Sequence, residues 1–395
     1  MIELKEKDRF TLKEKLQNKE IRVLLNNVKN KIDRIIDKYN GDFIHTCTYN
    51  DKYYKANGFE WTKGFYTGII WYLYLYTQDE CYKKLALKQC LELGKEAKMG
   101  HEGIKNHDVG FIYSLSTIAG YMITGDEKLL EISRQATDVL TERFLSQCGV
   151  IQAWGKIGEE GINNGRIIID TFMNLPILYK MSEFTGDKKY HDVALKHLDN
   201  ACKVLVRDDF TTYHTYYFDT KSGKPLYGKT HQGKNDDSMW ARGQAWGVYG
   251  LALSYKYNPE RKDLLEKAKN LLNVFLNKLP SDLVCPWDFD YDDYMYVLKD
   301  ASTMPIIVSG ILELLKYDIF TKEEHTFYEK VAHNLLKALL ENDFISQSND
   351  KTDGLVKHSV YAFPNKGLNE CVLWGDYFYV ECLMRLFTQD RWLFW

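Results

Sequence analysis

The 395-residue sequence has 52 basic and 55 acidic side chains, a formal net charge of −3 and no long block of one sign. This balance excludes nucleic acid and anionic membranes as main partners, because proteins that bind polyanions carry basic patches. Aromatic residues make up 14% of the chain, which fits either sugar-stacking surfaces or ordinary core packing.

The cysteines and the N-terminal segment bear on the cellular compartment. Eight cysteines are scattered along the chain, with no CxxC pair and no histidine–cysteine cluster of zinc-binding spacing. The segment MIELKEKDRFTLKEKL is charged throughout, and the most apolar run, FYTGIIWYLYLY at 65–76, is too short to span a bilayer. We therefore predict free thiols in a cytoplasmic protein, without metal or other cofactor, that is a monomer or weak homodimer.

Six short polar turns recur along the chain, each after an apolar helical stretch. They are YTQDECY (76–82), ITGDEKL (123–129), FTGDKKY (184–190), YNPERKD (257–263), FTKEEHT (320–326) and FTQDRWL (387–393). Their Asp, Asn or Thr residues can cap the helix that follows. The five intervals from Thr77 to Thr388 cover 311 residues, so the repeat averages about 62 residues, enough for two helices.

Two kinds of predicted helix alternate between these turns. Apolar helices are predicted at 61–76, 108–123, 170–184, 238–256, 302–319 and 374–387. Amphipathic helices, with Lys and Glu on one face, are predicted at 11–39, 80–98, 126–146, 187–206, 260–278 and 321–342. The alternation predicts an all-α fold, an (α/α)6 toroid forming a single domain over residues 1–395. An open solenoid is the alternative, but its last helix would need a polar face, and here it is apolar.

Two segments interrupt the helical pattern. Residues 211–237, TTYHTYYFDTKSGKPLYGKTHQGKNDD, carry aromatic residues around a Lys-Ser-Gly turn, which predicts a small β-hairpin insertion. Residues 283–302, LVCPWDFDYDDYMYVLKDAS, predict a loop before the fifth apolar helix.

Polar and aromatic residues concentrate at the starts of the apolar helices. In a closed ring of hairpins these starts meet at one end, the mouth, where helix dipoles favour anions. The residues predicted to converge there are Trp61, His107, Asp108, Asp170, Arg242, Trp246 and Trp374. Residues 166–180, RIIIDTFMNLPILYK, read as a helix on which Asp170 and Asn174 share one face. Asp170 could simply cap this helix, but its predicted proximity to Asp108 favours a catalytic pair.

Five motifs occur in order between about Trp61 and Tyr377: HDVGF, IDTFMNLPILY, HTYYFD, GKTHQGKNDDSMWARGQAW and GDYF. Together they resemble the unsaturated glucuronyl hydrolases of glycoside hydrolase family 88. The resemblance implies an (α/α)6 fold, in agreement with the repeat. It also implies a substrate that polysaccharide lyases produce from glycosaminoglycans or similar chains, an oligosaccharide with Δ4,5-unsaturated glucuronate at its non-reducing end. Enzymes of this family hydrate the C4=C5 bond instead of attacking the anomeric carbon.

The resemblance also implies roles for individual residues. Asp170 matches the acid/base, whose pKa would be raised by its apolar helix and by Asp108, and Asp108 would hold sugar hydroxyls. The other candidates lie around the sugar: His214 and Gln232 near C5 and the water, Arg242 and Trp246 around the uronate, and Trp61, His107, Trp154 and Trp374 as further sugar contacts. Helix packing, or a surface position for His214, is the alternative for these residues. His231, beside Gln232, could have either role.

One departure concerns sulfate. Relatives that accept sulfated chondroitin fragments carry Ser-x-x-Ser-x-Lys shortly before the last apolar helix. The corresponding stretch YAFPNK keeps Lys366, but Tyr361 and Pro364 occupy the serine positions. We therefore expect no preference for sulfated substrates.

Two other functional classes stay open from the sequence. One is a different (α/α)6 enzyme, such as an unsaturated rhamnogalacturonyl hydrolase or a sugar epimerase, and the other is a non-catalytic sugar-binding toroid. An epimerase needs paired histidine acid/bases, and the available His107, His214 and His231 match other motifs better. A binding protein has no need of Asp108 and Asp170 in one mouth.

Overall fold

The computed structural model describes residues 2–161, 163–291, 298–364 and 366–395. Its α-helices are α1 (Asn18–Tyr39), α2 (Lys63–Thr77), α3 (Glu80–Lys98), α4 (Ala119–Thr124), α5 (Glu127–Glu142), α6 (Thr171–Asn174), α7 (Pro176–Thr185), α8 (Lys188–Leu205), α9 (Ala241–Tyr257), α10 (Lys262–Lys278), α11 (Thr303–Leu314), α12 (Lys322–Glu341) and α13 (Leu373–Thr388). A π-helix, Gly110–Ile118, leads directly into α4, and 3-10 turns occur at Lys7–Phe10 and Gly100–Glu102.

The alternation of apolar and amphipathic helices is confirmed. Helices α2, α9, α11 and α13 are buried over most of their length, as are the π-helix with α4 and the α6–α7 pair. Between them, α1, α3, α5, α8, α10 and α12 bury one stripe of Leu, Ile, Val and Ala and expose their charged face. The predicted helix 170–184 is divided after Asn174, before Pro176, because proline cannot donate to the preceding turn.

Four of the polar turns cap the helix that follows them, namely α3, α5, α8 and α12. Asp79, Asp126 and Asp187 each accept a hydrogen bond from the backbone N–H two residues further on. Thr321 and Glu324 form a reciprocal capping box at the start of α12. The repeated turn chemistry therefore fixes where the amphipathic helices begin.

The strands are short. They are β1 (Phe144–Leu145), β2 (Val150–Ile151), β3 (Arg166–Ile168), β4 (Thr215–Phe218), β5 (Pro225–Lys229), β6 (Ser359–Ala362) and β7 (Lys366–Glu370). The predicted hairpin at 211–237 is confirmed as β4 and β5, and β3 extends it to three antiparallel strands. The helical interpretation of 166–168 is wrong, because these residues, two of them β-branched isoleucines, pair with 215–217 as a strand. Part of the predicted loop at 283–302, residues 292–297, lies outside the described residues.

The chain forms two compact units. Unit 1 comprises Met1–Lys55, Gln232–Lys234 and Ser238–Leu393, and unit 2 comprises Ala56–His231, Asn235–Asp237 and Phe394–Trp395. Unit 1 contains α1 and α9 to α13, and unit 2 contains α2 to α8. The single domain over 1–395 stays a prediction. Among the described helices, none has the length and apolar character needed to cross a bilayer.

Candidate active site

Two buried carboxyl groups of unit 2 lie at the starts of apolar helices. Asp108, 6% exposed, precedes the π-helix, and Asp170, 8% exposed, is the N-cap residue of α6. Although Asp170 occupies the cap position, its carboxyl makes no capping hydrogen bond within the described chain. The capping explanation for this acid therefore has no support in the geometry.

Asn174 connects the two acidic segments. Its Oδ1 accepts a hydrogen bond from the backbone N–H of Phe111 at 3.1 Å, and its Nδ2 donates to the backbone oxygen of Asp170 at 3.1 Å. The same amide also hydrogen-bonds the Asp108 carboxyl. Gly110 permits this approach, since a Cβ there would lie 2.6 Å from the Asn174 Cα. Asn174 thus fixes both aspartates relative to each other, which answers why an amide and an acid share this helical face.

The two carboxyl groups are electrostatically coupled. Burial raises the pKa of Asp108 well above its usual range, and the neighbouring Asp170 carboxyl raises it further. Asn174, Arg143 and Asn106 act in the opposite direction. The Asn106 amide donates to Asp108 Oδ2 at 2.6 Å. Carboxyl groups coupled in this way titrate as a pair.

Unit 2 also contains the three candidate histidines. His107 is 1% exposed, its Nε2 lies 3.5 Å from Asp108 Oδ1, and burial lowers its pKa well below the usual range, so it is neutral. His214, also buried, accepts through Nδ1 a hydrogen bond from the backbone N–H of His231 at 2.9 Å. Neutral His214 therefore carries its proton on Nε2. The His231 ring packs edge-on against Trp154, with centroids 5.1 Å apart.

Two buried arginines fix Trp154, which is half-buried. The guanidinium carbon of Arg166 lies 4.3 Å from the centre of the Trp154 ring. Arg143 donates to the backbone oxygens on either side of this tryptophan, Ala153 at 3.3 Å and Gly155 at 2.8 Å. Trp154 is therefore held both by its ring face and by its backbone, as a sugar-stacking platform requires.

Trp61 occupies a second aromatic cluster of unit 2. Half-buried, it packs against Phe65 and Phe111 with ring centroids 5.8 and 5.6 Å away. Because the Phe111 backbone is bound by Asn174, this cluster is connected to the aspartate pair.

Unit 1 contains a separate cluster around Arg242, which is 2% exposed. Its Nη1 pairs with Asp300 and donates to the backbone oxygen of Val360 at 2.7 Å. Its Nη2 donates to Gln232 Oε1 and to the backbone oxygen of Tyr361, each at 2.7 Å. Since both terminal nitrogens are engaged by protein groups, Arg242 is placed to orient Gln232 and the β6 strand.

The remaining candidates of unit 1 are two tryptophans and a lysine. Trp246 and Trp374 are fully buried, and Trp246 packs against Phe378 with ring centroids 5.4 Å apart. Their burial and ring packing agree with the alternative that these tryptophans only pack the helices together. Lys366 is exposed, and its Nζ lies 4.2 Å from the centre of the Tyr361 ring.

The structure thus places the predicted residues in two sets. Trp61, His107, Asp108, Trp154, Asp170 and His214, with His231, belong to unit 2, whereas Gln232, Arg242, Trp246, Trp374 and Lys366 belong to unit 1. Their convergence on one mouth stays a prediction. Sequence analysis missed Asn106, Arg143 and Arg166. The Asn-x-Asp spacing could have revealed Asn106, since such a side chain accepts from the N–H two residues ahead.

The described residues contain no group of three or more His, Cys, Asp and Glu side chains that could hold a metal ion.

Comparison with known proteins adds independent information. The family model for Glycosyl Hydrolase Family 88 matches residues 35–380. An unsaturated chondroitin disaccharide hydrolase of Streptococcus pneumoniae is 36% identical over 99% of this chain and 98% of its own. An unsaturated glucuronyl hydrolase of Bacillus sp. strain GL1 is 37% identical over 89% of this chain and 93% of its own.

Solved structures agree with these relatives. The crystal structure of unsaturated glucuronyl hydrolase from Streptococcus agalactiae matches with a TM-score of 0.94 and 36% identity, over 100% of this chain and 98% of that one. A mutant of the S. agalactiae enzyme, complexed with dGlcA-GalNAc6S, matches with a TM-score of 0.87 and 34% identity, over 100% and 98% of the two chains. The predicted (α/α)6 fold class is confirmed.

Proposed function

Since the chain belongs to Glycosyl Hydrolase Family 88, we propose that it removes Δ4,5-unsaturated glucuronate from the non-reducing end of an oligosaccharide by hydrating the C4=C5 bond. It is a glycoside hydrolase. The observation that carries the proposal is the buried Asp108–Asp170 pair, joined by Asn174 and coupled electrostatically.

The chemistry requires one proton donor that later becomes a base. The C4=C5 bond and the ring oxygen form an enol ether, so protonation at C4 leaves an oxocarbenium-like charge at C5. Water then adds at C5, and the resulting hemiketal opens and releases the next sugar. One carboxyl group can give the first proton and accept the second from water. The spacing rule for carboxylates that attack an anomeric carbon does not apply.

We propose different roles for the two aspartates, and the hydrogen bonds to Asp108 support this proposal. Asp108 receives amide donors from Asn106 and Asn174, and donors of this kind favour the ionised carboxylate. We therefore assign the shared proton to Asp170, which protonates C4. Ionised Asp108 then stabilises the positive charge that develops at C5.

His214 and the tryptophans of unit 2 would contact the sugar. Because His214 Nδ1 is an acceptor within the protein, its Nε2–H is the donor that it can offer to the substrate or to the attacking water. Trp154 and Trp61 supply aromatic faces of the kind on which sugar rings stack.

The direct test follows the ultraviolet absorbance of an unsaturated chondroitin or hyaluronan disaccharide, because hydration destroys the conjugated chromophore. Asp170→Asn should lose about 10²–10⁴-fold in kcat, since an amide neither gives nor takes the required proton. Asp192→Asn, at an exposed position of α8, is the matched control and should keep the wild-type rate. A near-wild-type rate for Asp170→Asn would remove this aspartate from the mechanism.

The position of water addition can be tested separately. In H₂¹⁸O the label should enter C5 of the released keto sugar, and the leaving oxygen of the other sugar should stay unlabelled. Label at C1 of the released uronate, with none at C5, would indicate ordinary glycoside hydrolysis.

The substrate preference that we propose is for unsulfated disaccharides. Tyr361 offers its ring, not a hydroxyl of serine length, and Lys366 lies against the face of that ring. An exposed lysine alone is a weak anion site because solvent screens it. A competition between 6-sulfated and unsulfated disaccharides in one tube, followed by mass spectrometry, should show faster consumption of the unsulfated species. Faster loss of the sulfated species would contradict the preference.

The proposal extends to the environment and assembly of the protein. Seven of the eight free cysteines are buried, which supports a reducing compartment such as the cytoplasm. We also propose a monomer or weak homodimer, which size-exclusion chromatography with light scattering would test.

A further inference from the structure

We infer that Phe394 and Trp395, which follow α13, are positioning residues for the active site of unit 2 and act through Phe111. The inference rests on the proposed function for its kinetic test. Both residues lie beyond GDYF at 375–378, the last of the motifs that identify the family.

Phe394 and Trp395 are anchored in unit 2 by aromatic contacts. Both are fully buried, although Leu393 before them belongs to unit 1. The Phe394 ring stacks on Tyr72 of α2, with centroids 4.6 Å apart. The Trp395 ring meets Phe111 edge-on, with centroids 6.0 Å apart and an interplanar angle of 87°. Such edge-to-face pairs fix relative ring positions.

Phe111 is held by further contacts as well. Its ring contacts Trp61 and Phe65, and its backbone N–H is bound by Asn174. A Cβ at Gly64 would lie 2.1 Å from the Phe111 backbone oxygen, so α2 and the π-helix touch at the backbone. A change at the Phe111 ring is therefore transmitted to Asn174 and Trp61 instead of being absorbed locally.

The packing of Trp395 against Phe111 is important because Phe111 belongs to a π-helix. π-Helices are rare and depend on surrounding packing, and they are frequent at functional sites. Here Asp108 stands immediately before such a helix, whose first turn includes Phe111. Removing the Trp395 ring would leave a cavity beside Phe111 into which the first turn can relax. A displacement of about 1 Å between positioned groups can cost about 100-fold in rate.

The test compares kcat and KM for three variants on an unsaturated disaccharide. Trp395→Ala should lower kcat about tenfold per folded molecule, and Trp395→Phe should restore most of it because it keeps an aromatic edge. Trp392→Ala is the matched control, since this half-buried tryptophan lies three residues earlier in unit 1, near Arg391. It should leave both constants unchanged. Equal losses for Trp392→Ala and Trp395→Ala would overturn the inference.

A double-mutant cycle identifies the route. If Trp395 acts through Phe111, the losses in Trp395→Ala and Phe111→Leu should be clearly non-additive in the double variant. Additive losses would overturn the inference. Should Trp395→Ala fail to fold, Trp395→Leu replaces it, and a kcat equal to that of Trp395→Phe would likewise overturn the role of the ring.

A measurement without substrate separates this inference from the proposed function. The titration of the Asp108 carboxyl can be followed by ¹³C NMR, with Asp108→Asn as the assignment control. Entry of water in Trp395→Ala should lower the Asp108 pKa, because burial is the main cause that raises it. If the wild type consumes no unsaturated disaccharide, the proposed function fails, whereas an unchanged Asp108 titration in Trp395→Ala would overturn the positioning role.

Discussion

Asn174→Ala should shift both limbs of the pH–rate profile to higher pH and lower the plateau value of kcat. The Asn174 amide lowers the pKa of Asp108, and a hydrogen bond to a charged group contributes about 1.5–3 kcal/mol. Its loss therefore raises the pKa values of the pair by about 1–2 units. Loss of this hydrogen bond also favours the shared proton on Asp108 over Asp170. From Asp108 the proton is not transferred to C4. The plateau kcat should then fall about 10–100-fold.

The substitution should also cost stability. It removes the acceptor of the buried Phe111 N–H, whereas the Asp170 carbonyl keeps its hydrogen bond from the Met173 N–H, so the free energy of unfolding should drop by about 1–3 kcal/mol. Asn200→Ala is the matched control, because the Asn200 amide donates instead to the backbone oxygens of Cys148 and Gly149. It should lower stability without moving the pH profile.

The assay records the loss of ultraviolet absorbance between about pH 4 and pH 9 for the wild type and both variants, with kcat normalised to folded protein. Urea unfolding supplies the stability values. An unmoved profile for Asn174→Ala, together with the expected loss of stability, would show that the amide is only structural. A downward shift of the limbs would contradict the assignment of the ionised carboxylate to Asp108.

Two further predictions concern buried side chains outside the aspartate pair. His197 accepts a hydrogen bond from the Ile151 N–H at 2.8 Å and contacts Thr171 Oγ1 at 2.6 Å. His197→Leu should therefore lower the free energy of unfolding in urea by about 2–4 kcal/mol, and an unchanged midpoint would refute this. Burial raises the pKa of Asp376 to about 6, although Tyr53 donates to it at 3.0 Å. Because the folded pKa is raised, the stabilisation by its protonated form is lost as pH rises through about 6. The stability advantage of wild type over Asp376→Asn should therefore shrink by about 2 kcal/mol between pH 4 and pH 7, and a constant difference by calorimetry would contradict it.

The helices could be predicted because their signals are local. Turn residues such as Asp126 and Asp187 cap helices within two residues of their own position, and the charged stripe of each amphipathic helix is visible in the sequence. The strand at 166–168 was missed because its partner at 215–217 lies about fifty residues away, beyond any local pattern. The division of the predicted helix 170–184 before Pro176 follows from the missing N–H of proline, which is a local property. The continuous apolar pattern around Pro176 nevertheless predicted one helix.

The acids of the site were visible in the sequence, but their supports were not. Asp108 and Asp170 each stand at the beginning of an apolar helix, where a carboxylate is conspicuous. Arg143 ends the amphipathic helix α5 and resembles any charged surface residue, yet it is 2% exposed. Its burial depends on the path of the loop at 152–155, which only the tertiary structure reveals.

The engagement of Arg143 with carbonyl groups is also what allows an acid to stay protonated here. A guanidinium paired directly with Asp108 would neutralise the charge of that carboxylate and so remove the repulsion that keeps the proton on Asp170. Instead Arg143 donates to the backbone oxygens of Gln152, Ala153 and Gly155, and its own pKa is lowered by burial to about 10. Its remaining attraction for Asp108 is smaller than the effects of burial and of Asp170, so the pKa of Asp108 stays raised. The arginine that positions the tryptophan therefore leaves the proton available for the double bond.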